Sequence, residues 1–266
     1  MKEIALYLKQ GIMKKIDTLY IETYTPEVPI PFSYALSIEA TNLKEQTGIA
    51  FKKEYLGREG LSEEEIIEEG GEPEAVYRWE GAISIKWLEQ LEKIIPSLRL
   101  HKEEGDSCCF ISYIFQEETS NDKKNKGFVE NNAVWEYLIQ ELQQAILEAS
   151  GKEHPLSIRF ISKNEIPLDT TLTANFAQRK VFITKIIGKN KNKEEEIDWS
   201  MFQQILDAVF SVEYAPEEAI PEQKLPAKGI FIEPEPGKWF ELPTSVTRAN
   251  KNGKKTEALI ALFSAL

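Results

Sequence analysis

Between Asn131 and Lys163 the chain reads NNAVWEYLIQELQQAILEASGKEHPLSIRFISK. No other segment limits the possible folds as strongly. Val134, Trp135, Leu138, Ile139, Leu142, Ile146 and Leu147 recur at three- and four-residue steps, which places them on one face of an α-helix. Asn131 or Asn132 suits the N-cap, and Gly151 stands where a left-handed C-terminal residue is wanted. After a turn at Glu153-His154-Pro155, the run Leu156 to Ile161 alternates as a strand does. A long amphipathic helix feeding a strand predicts a core of helix on sheet, with the rest packed around it.

The first sixty residues read as short strands rich in Ile, Leu and Tyr: Ile4 to Leu8, Ile16 to Tyr24, Tyr34 to Ala40 and Ile49 to Leu56. A helix is the alternative for the first of these. Three prolines between Thr25 and Pro31 exclude a helix or a central strand there. Ala75 to Ile85 reads as a strand or hairpin, and Lys86 to Ile95 as a helix stopped by Pro96. Ser107 to Gln116 is an almost unbroken apolar run and is placed centrally in a sheet, the same sheet as Leu156 to Ile161. Leu172 to Ile187 is too long for one strand and reads as a bent strand or a hairpin broken near Gln178-Arg179. Trp199 to Val212 is an amphipathic helix, and Ala215 to Lys228, with three prolines, a surface linker. Pro236-Gly237 supplies a type II turn between two strands over 229–242. Of the adjacent aromatics Trp239 and Phe240, one is expected to be exposed. Thr256 to Leu266 is a nearly all-apolar helix that must dock in its own domain or pair with another chain.

The predicted fold class is α+β: a largely antiparallel sheet covered by about four or five helices. It forms a single domain over residues 1–266, or two packed halves, 1–120 and 128–266, joined by the polar loop Thr119 to Gly127. At 266 residues and 42% hydrophobic content the core needs neither disulfide nor metal. Cys108 and Cys109, the only cysteines, are neighbours, so a disulfide between them is strained; two free thiols point to the cytoplasm. No apolar run reaches the ~20 residues of a membrane helix, and no signal peptide is read at the N-terminus.

Charge is the feature closest to function. Residues 51–150 hold 11 Lys and Arg against 22 Asp and Glu, whereas residues 151–266 hold 16 of each. With a net charge of −12, nucleic acid and anionic lipid are poor partners, since both need a positive surface. The excess peaks in EGLSEEEIIEEGGEPE, residues 59–74, which holds eight acids and no base. Ser62 with Glu65 makes a capping box, Gly70-Gly71 ends the turn, and Ile66 with Ile67 is the face left to bury. Glu64 repels Glu68, and Glu65 repels Glu69, at helical spacing. Such a run serves either as a solvated face or as a surface for a basic protein.

Signatures of common chemistry are missing: no GxxxxGK[ST], no GxGxxG and no GxSxG. The two histidines, His101 and His154, lack an obvious acid and nucleophile, and with two adjacent cysteines they have the wrong spacing for zinc. Cys109 in an apolar strand is a packed thiol rather than a nucleophile. Asp169, ahead of Thr170-Thr171, stands where a strand-end loop could hold a catalytic carboxylate. No cofactor or metal is called for. The favoured reading is a non-catalytic cytoplasmic protein that binds a basic protein through Glu63, Glu64, Glu65, Glu68 and Glu69. The alternative is a carboxylate-dependent hydrolase with its pocket unidentified. Oligomeric state is not written in the sequence.

Overall fold

Period-two segments outnumber helical ones, and the computed structural model is mostly antiparallel β: 40% strand against 29% helix. It describes residues 14–25, 27–104, 108–116, 125–130, 133–188, 190–191, 194–246 and 253–266. The expected strand at Ile4 to Leu8, the Asn131/Asn132 cap and residues 119–124 of the polar loop lie outside the described residues. The chain divides into two compact units, one ending at Glu153 and the other starting at His154.

The first unit holds β1 (Ile16–Tyr24), β2 (Tyr34–Asn42), β3 (Gln46–Tyr55), β4 (Val76–Ser84), β5 (Leu100–His101), β6 (Cys109–Phe115) and β7 (Asn125–Val129). They form one antiparallel sheet in the order β4-β3-β2-β1-β6-β7-β5. Register lines Ile111, Ile21, Ile38 and Phe51 in one row across β6, β1, β2 and β3, and all four are buried. The neighbouring row, Tyr20, Glu39, Ala50 and Glu80, belongs to the opposite face, where the last three are exposed. One face is therefore dry and the other open, as alternation in an antiparallel sheet allows. Three helices accompany it: α1 (Glu63–Glu68), α2 (Lys86–Ile94) and α3 (Ala133–Ala149). Trp87, Leu88 and Leu91 of α2 are fully buried, as are Leu142, Ala145 and Ile146 of α3. Trp135 of α3 donates its indole N–H to Cys109 Sγ at 3.2 Å, on the dry side of β6.

The second unit holds β8 (Leu156–Ser162), β9 (Leu168–Asn175), β10 (Lys180–Ile187), β11 (Asn190–Lys191), β12 (Glu195–Ile197), β13 (Ile230–Glu235) and β14 (Lys238–Leu242). Their order is β11-β10-β9-β8-β13-β14, with β12 also beside β10. Helices α4 (Trp199–Phe210) and α5 (Lys254–Ala265) complete it. Phe160 of β8 stacks on Phe263 of α5, centroids 5.0 Å apart, so the terminal helix docks in its own unit. On the other face Ile161, Phe231 and Trp239 cluster under Ile220 and Leu225. Residues 215–228 are thus a strap packed on the sheet. Ile220 and Trp239 exchange backbone hydrogen bonds of 2.8 and 3.1 Å.

The expected single sheet covered by four or five helices is corrected: strands dominate, there are two sheets, and neither is covered by four or five helices. The run at 107–116 and that at 156–161, assigned above to one sheet, contribute β6 to the first and β8 to the second. Helix α1 spans six residues and buries only Ile66, so it covers nothing. Trp239 and Phe240 are both buried, at 0% and 4% exposure, because the strap covers one and Tyr214 packs on the other at 4.9 Å.

Candidate functional site

The acidic stretch is built outward from its cap. Ser62 Oγ accepts from the Glu65 backbone N–H at 3.3 Å, and the Glu65 carboxylate accepts from the Ser62 N–H at 2.8 Å, closing the capping box that starts α1. Those bonds from Ser62, backbone first, hold the Glu65 carboxyl below the usual range. Gly70, at φ 82°, ends the helix where a side chain would be strained. Ile66 is buried and Ile67 is 56% exposed, which corrects the expectation that both face inward. Consecutive helical residues point about 100° apart, and a single turn of helix has room to bury one of them.

A buried arginine anchors this lobe. Arg58 is 8% exposed; its Nε donates to the Pro31 carbonyl and its Nη1 to the Glu72 carbonyl, both at 2.7 Å. The guanidinium carbon lies 3.6 Å from the Tyr55 ring centroid, and Nη2 is buried without a partner. Lys152, just past α3, binds Glu74 at 3.0 Å and Glu72 at 3.5 Å, and the bond to Glu74 is the main reason its pKa is raised. Arg58, just ahead of the acidic stretch, ties the Glu72 backbone near its end, and Lys152 binds the Glu72 and Glu74 side chains there.

All five sequence-predicted residues, Glu63, Glu64, Glu65, Glu68 and Glu69, are exposed. Glu65 is engaged by Ser62. Among the described residues no base pairs with Glu63, Glu64, Glu68 or Glu69. Leu61 and Ile67 stand exposed among them, at 37% and 56%. Beside the lobe's Lys152 end opens a cavity of about 310 Å³ lined by Lys53, Tyr77, Gln140, Gln143 and Gln144. Lys53 Nζ lies over the rings of Tyr34 and Tyr55, at 4.5 and 4.7 Å. This lining offers amides, ammonium groups and a phenol, suited to hydrogen bonding a polar ligand.

The other singled-out residues fall elsewhere. Asp169 is not in a loop but within β9, where Arg159 holds it by two hydrogen bonds of 3.0 and 2.7 Å and also donates to Glu222 at 2.6 Å. The bonds to Asp169 are the main reason the Arg159 pKa is raised. The visible work of this trio is to tie the strap, through Glu222, to β8. His101 and His154 are exposed. Burial pushes the Cys109 thiol up to about 11, the opposite of what a nucleophile needs. No described group of three His, Cys, Asp or Glu side chains could hold a metal ion, and no described helix is long and apolar enough to cross a membrane. Arg58 and Arg159, the cations that organise both units' surfaces, escaped the sequence reading. A lone arginine one residue ahead of eight acids was the available hint for the first. Comparison with protein families, curated proteins and solved structures finds no match for this chain.

Proposed function

We propose that this chain is a non-catalytic protein whose acidic lobe binds a basic partner protein, with Glu63, Glu64, Glu68 and Glu69 as the contact charges. The observation that carries this reading is the contrast within the lobe. Its last two acids, Glu72 and Glu74, share Lys152, while the four outward carboxylates have no base among the described residues. The lobe that displays them is pinned by Arg58 and capped by Glu65. Exposed Leu61 and Ile67 add an apolar centre to the charged rim, the composition of a recognition patch. A basic partner would relieve repulsion among the carboxylates, and its approach would be steered by their field, faster at low salt. The adjacent cysteines Cys108 and Cys109, neither in a disulfide, support the cytoplasm as its compartment.

The test keeps Glu65, since it caps α1, and changes Glu63, Glu64, Glu68 and Glu69 to Gln. The fold should survive, read by an unchanged far-UV spectrum and melt. Binding of a Lys/Arg-rich amphipathic peptide should be salt-sensitive for the wild type and at least about tenfold weaker for the variant. Equal affinity of the two proteins for that peptide, with equal capture of basic proteins from lysate, would remove the proposal.

A further inference from the structure

Strand β4 is a sheet edge nine residues long, VYRWEGAIS. Proteins blunt such edges, because a row of free N–H and C=O groups invites another strand. The other described edges here are blunted. Strands β5 and β11 have two residues each, β12 has three, and β14 exchanges bonds with Ile220. Only β4, among the described residues, is left long and unpaired.

Its backbone direction follows from the β3 register. The Tyr55 N–H donates to the Ala75 carbonyl, and pairs run Lys53 with Tyr77, Phe51 with Trp79 and Ile49 with Gly81. Odd-numbered residues of β4 therefore bond inward to β3, and Val76, Arg78, Glu80 and Ala82 aim their N–H and C=O outward. Those same four side chains share the open face of the sheet, where Arg78 and Glu80 are exposed. Within its own unit Arg78 stands directly opposite Lys52, a like charge, and the carboxylate nearby, Glu54, is bonded to Lys52. Glu80 stands opposite Ala50.

We propose that two copies of this chain pair edge to edge, β4 antiparallel to β4, about a two-fold axis at Trp79. The charges and the backbone select the same register. Bonding demands that outward-facing residues meet one another, which leaves three central alignments. One sets Arg78 on Arg78 and another sets Glu80 on Glu80. The third sets Arg78 on Glu80 of the second copy and Glu80 on its Arg78, with Val76 beside Ala82. Only this last one is free of like-charge pairs and sets a carboxylate directly opposite Arg78. The two half-buried Trp79 rings then meet on the other face at the axis. The result is one continuous antiparallel sheet made of two seven-stranded ones.

Sedimentation of the full chain tests this over roughly 1 to 300 micromolar, because an interface this small is weak. The wild type should show a concentration-dependent dimer. Arg78→Glu and Glu80→Arg singly should each weaken it by roughly tenfold or more, and the double swap Arg78→Glu/Glu80→Arg should restore it. Amides of Arg78 and Glu80 should exchange more slowly as protein concentration rises. A wild type that stays monomeric overturns the proposal; so does a dimer indifferent to the single swaps, or a folded double swap that stays monomeric.

Discussion

Arg58 is the residue on which the acidic lobe should depend most, and Arg58→Met isolates its role while keeping most of the side-chain volume. Its two hydrogen bonds to the Pro31 and Glu72 carbonyls come from a charged donor and are worth ~1.5–3 kcal/mol each. The desolvated contact with Tyr55 adds ~2 kcal/mol. Together these amount to about 5–8 kcal/mol gross. Against them stands the burial of the guanidinium, several kcal/mol that methionine does not incur, and the orphaned Nη2 at ~1–3 kcal/mol. The net loss should be about 2 kcal/mol. It should be concentrated locally, since the bonds join residue 58 to the far end of the lobe. Amide exchange is the assay: the N–H of Ile66, bonded to Ser62, and that of Gly71, bonded to Ile66, should exchange roughly thirtyfold faster. Amides of Ile21 and Ile38 in the sheet should change little, and binding of the basic peptide should weaken. If the exchange of Ile66 and Gly71 and the urea midpoint all match wild type, the anchoring argument is wrong.

Two further outcomes follow from single side chains. Since the folded Glu65 pKa lies below its ordinary value of 4.5, its stabilisation of α1 is complete above that value and is lost as pH falls through the lowered one. Exchange protection of Ile66 should therefore fall on acidification, and Glu65→Gln should lack that dependence. Phe263→Ala removes a fully buried ring stacked on Phe160, and the second unit should lose ~3–5 kcal/mol in chemical denaturation. A loss under 1 kcal/mol would mean that α5 is not docked as described.

Much of the local structure was readable from residue order. The capping box at Ser62 and Glu65, the helix over 133–149, the break near Arg179 and the turn at Gly237 all rest on contacts within a few residues. Arg179 takes φ 49° and Gly237 φ 80° where the reading put turns. The five acids were correctly expected at the surface, because an unpaired carboxylate is costly to bury wherever the chain goes.

What the order of residues left open was partnership. Strands β6 and β8 are both short, apolar runs, and nothing in either says which sheet it joins. Backbone N–H and C=O groups are alike at every residue, so the choice among strand neighbours is made by packing far along the chain. The same holds for single side chains. Arg159 meets Asp169 only because β8 and β9 pair in one register, and Arg58 is buried only because Tyr55, Pro31 and Glu72 converge on it. Trp239 and Phe240 could not both be assigned to the interior until the strap was seen to cover the second face. Periodicity, caps and charge are local properties and were determined by sequence alone. Sheet membership, the closed faces and the open edge at β4 come from contacts between distant residues, which only the folded chain brings together.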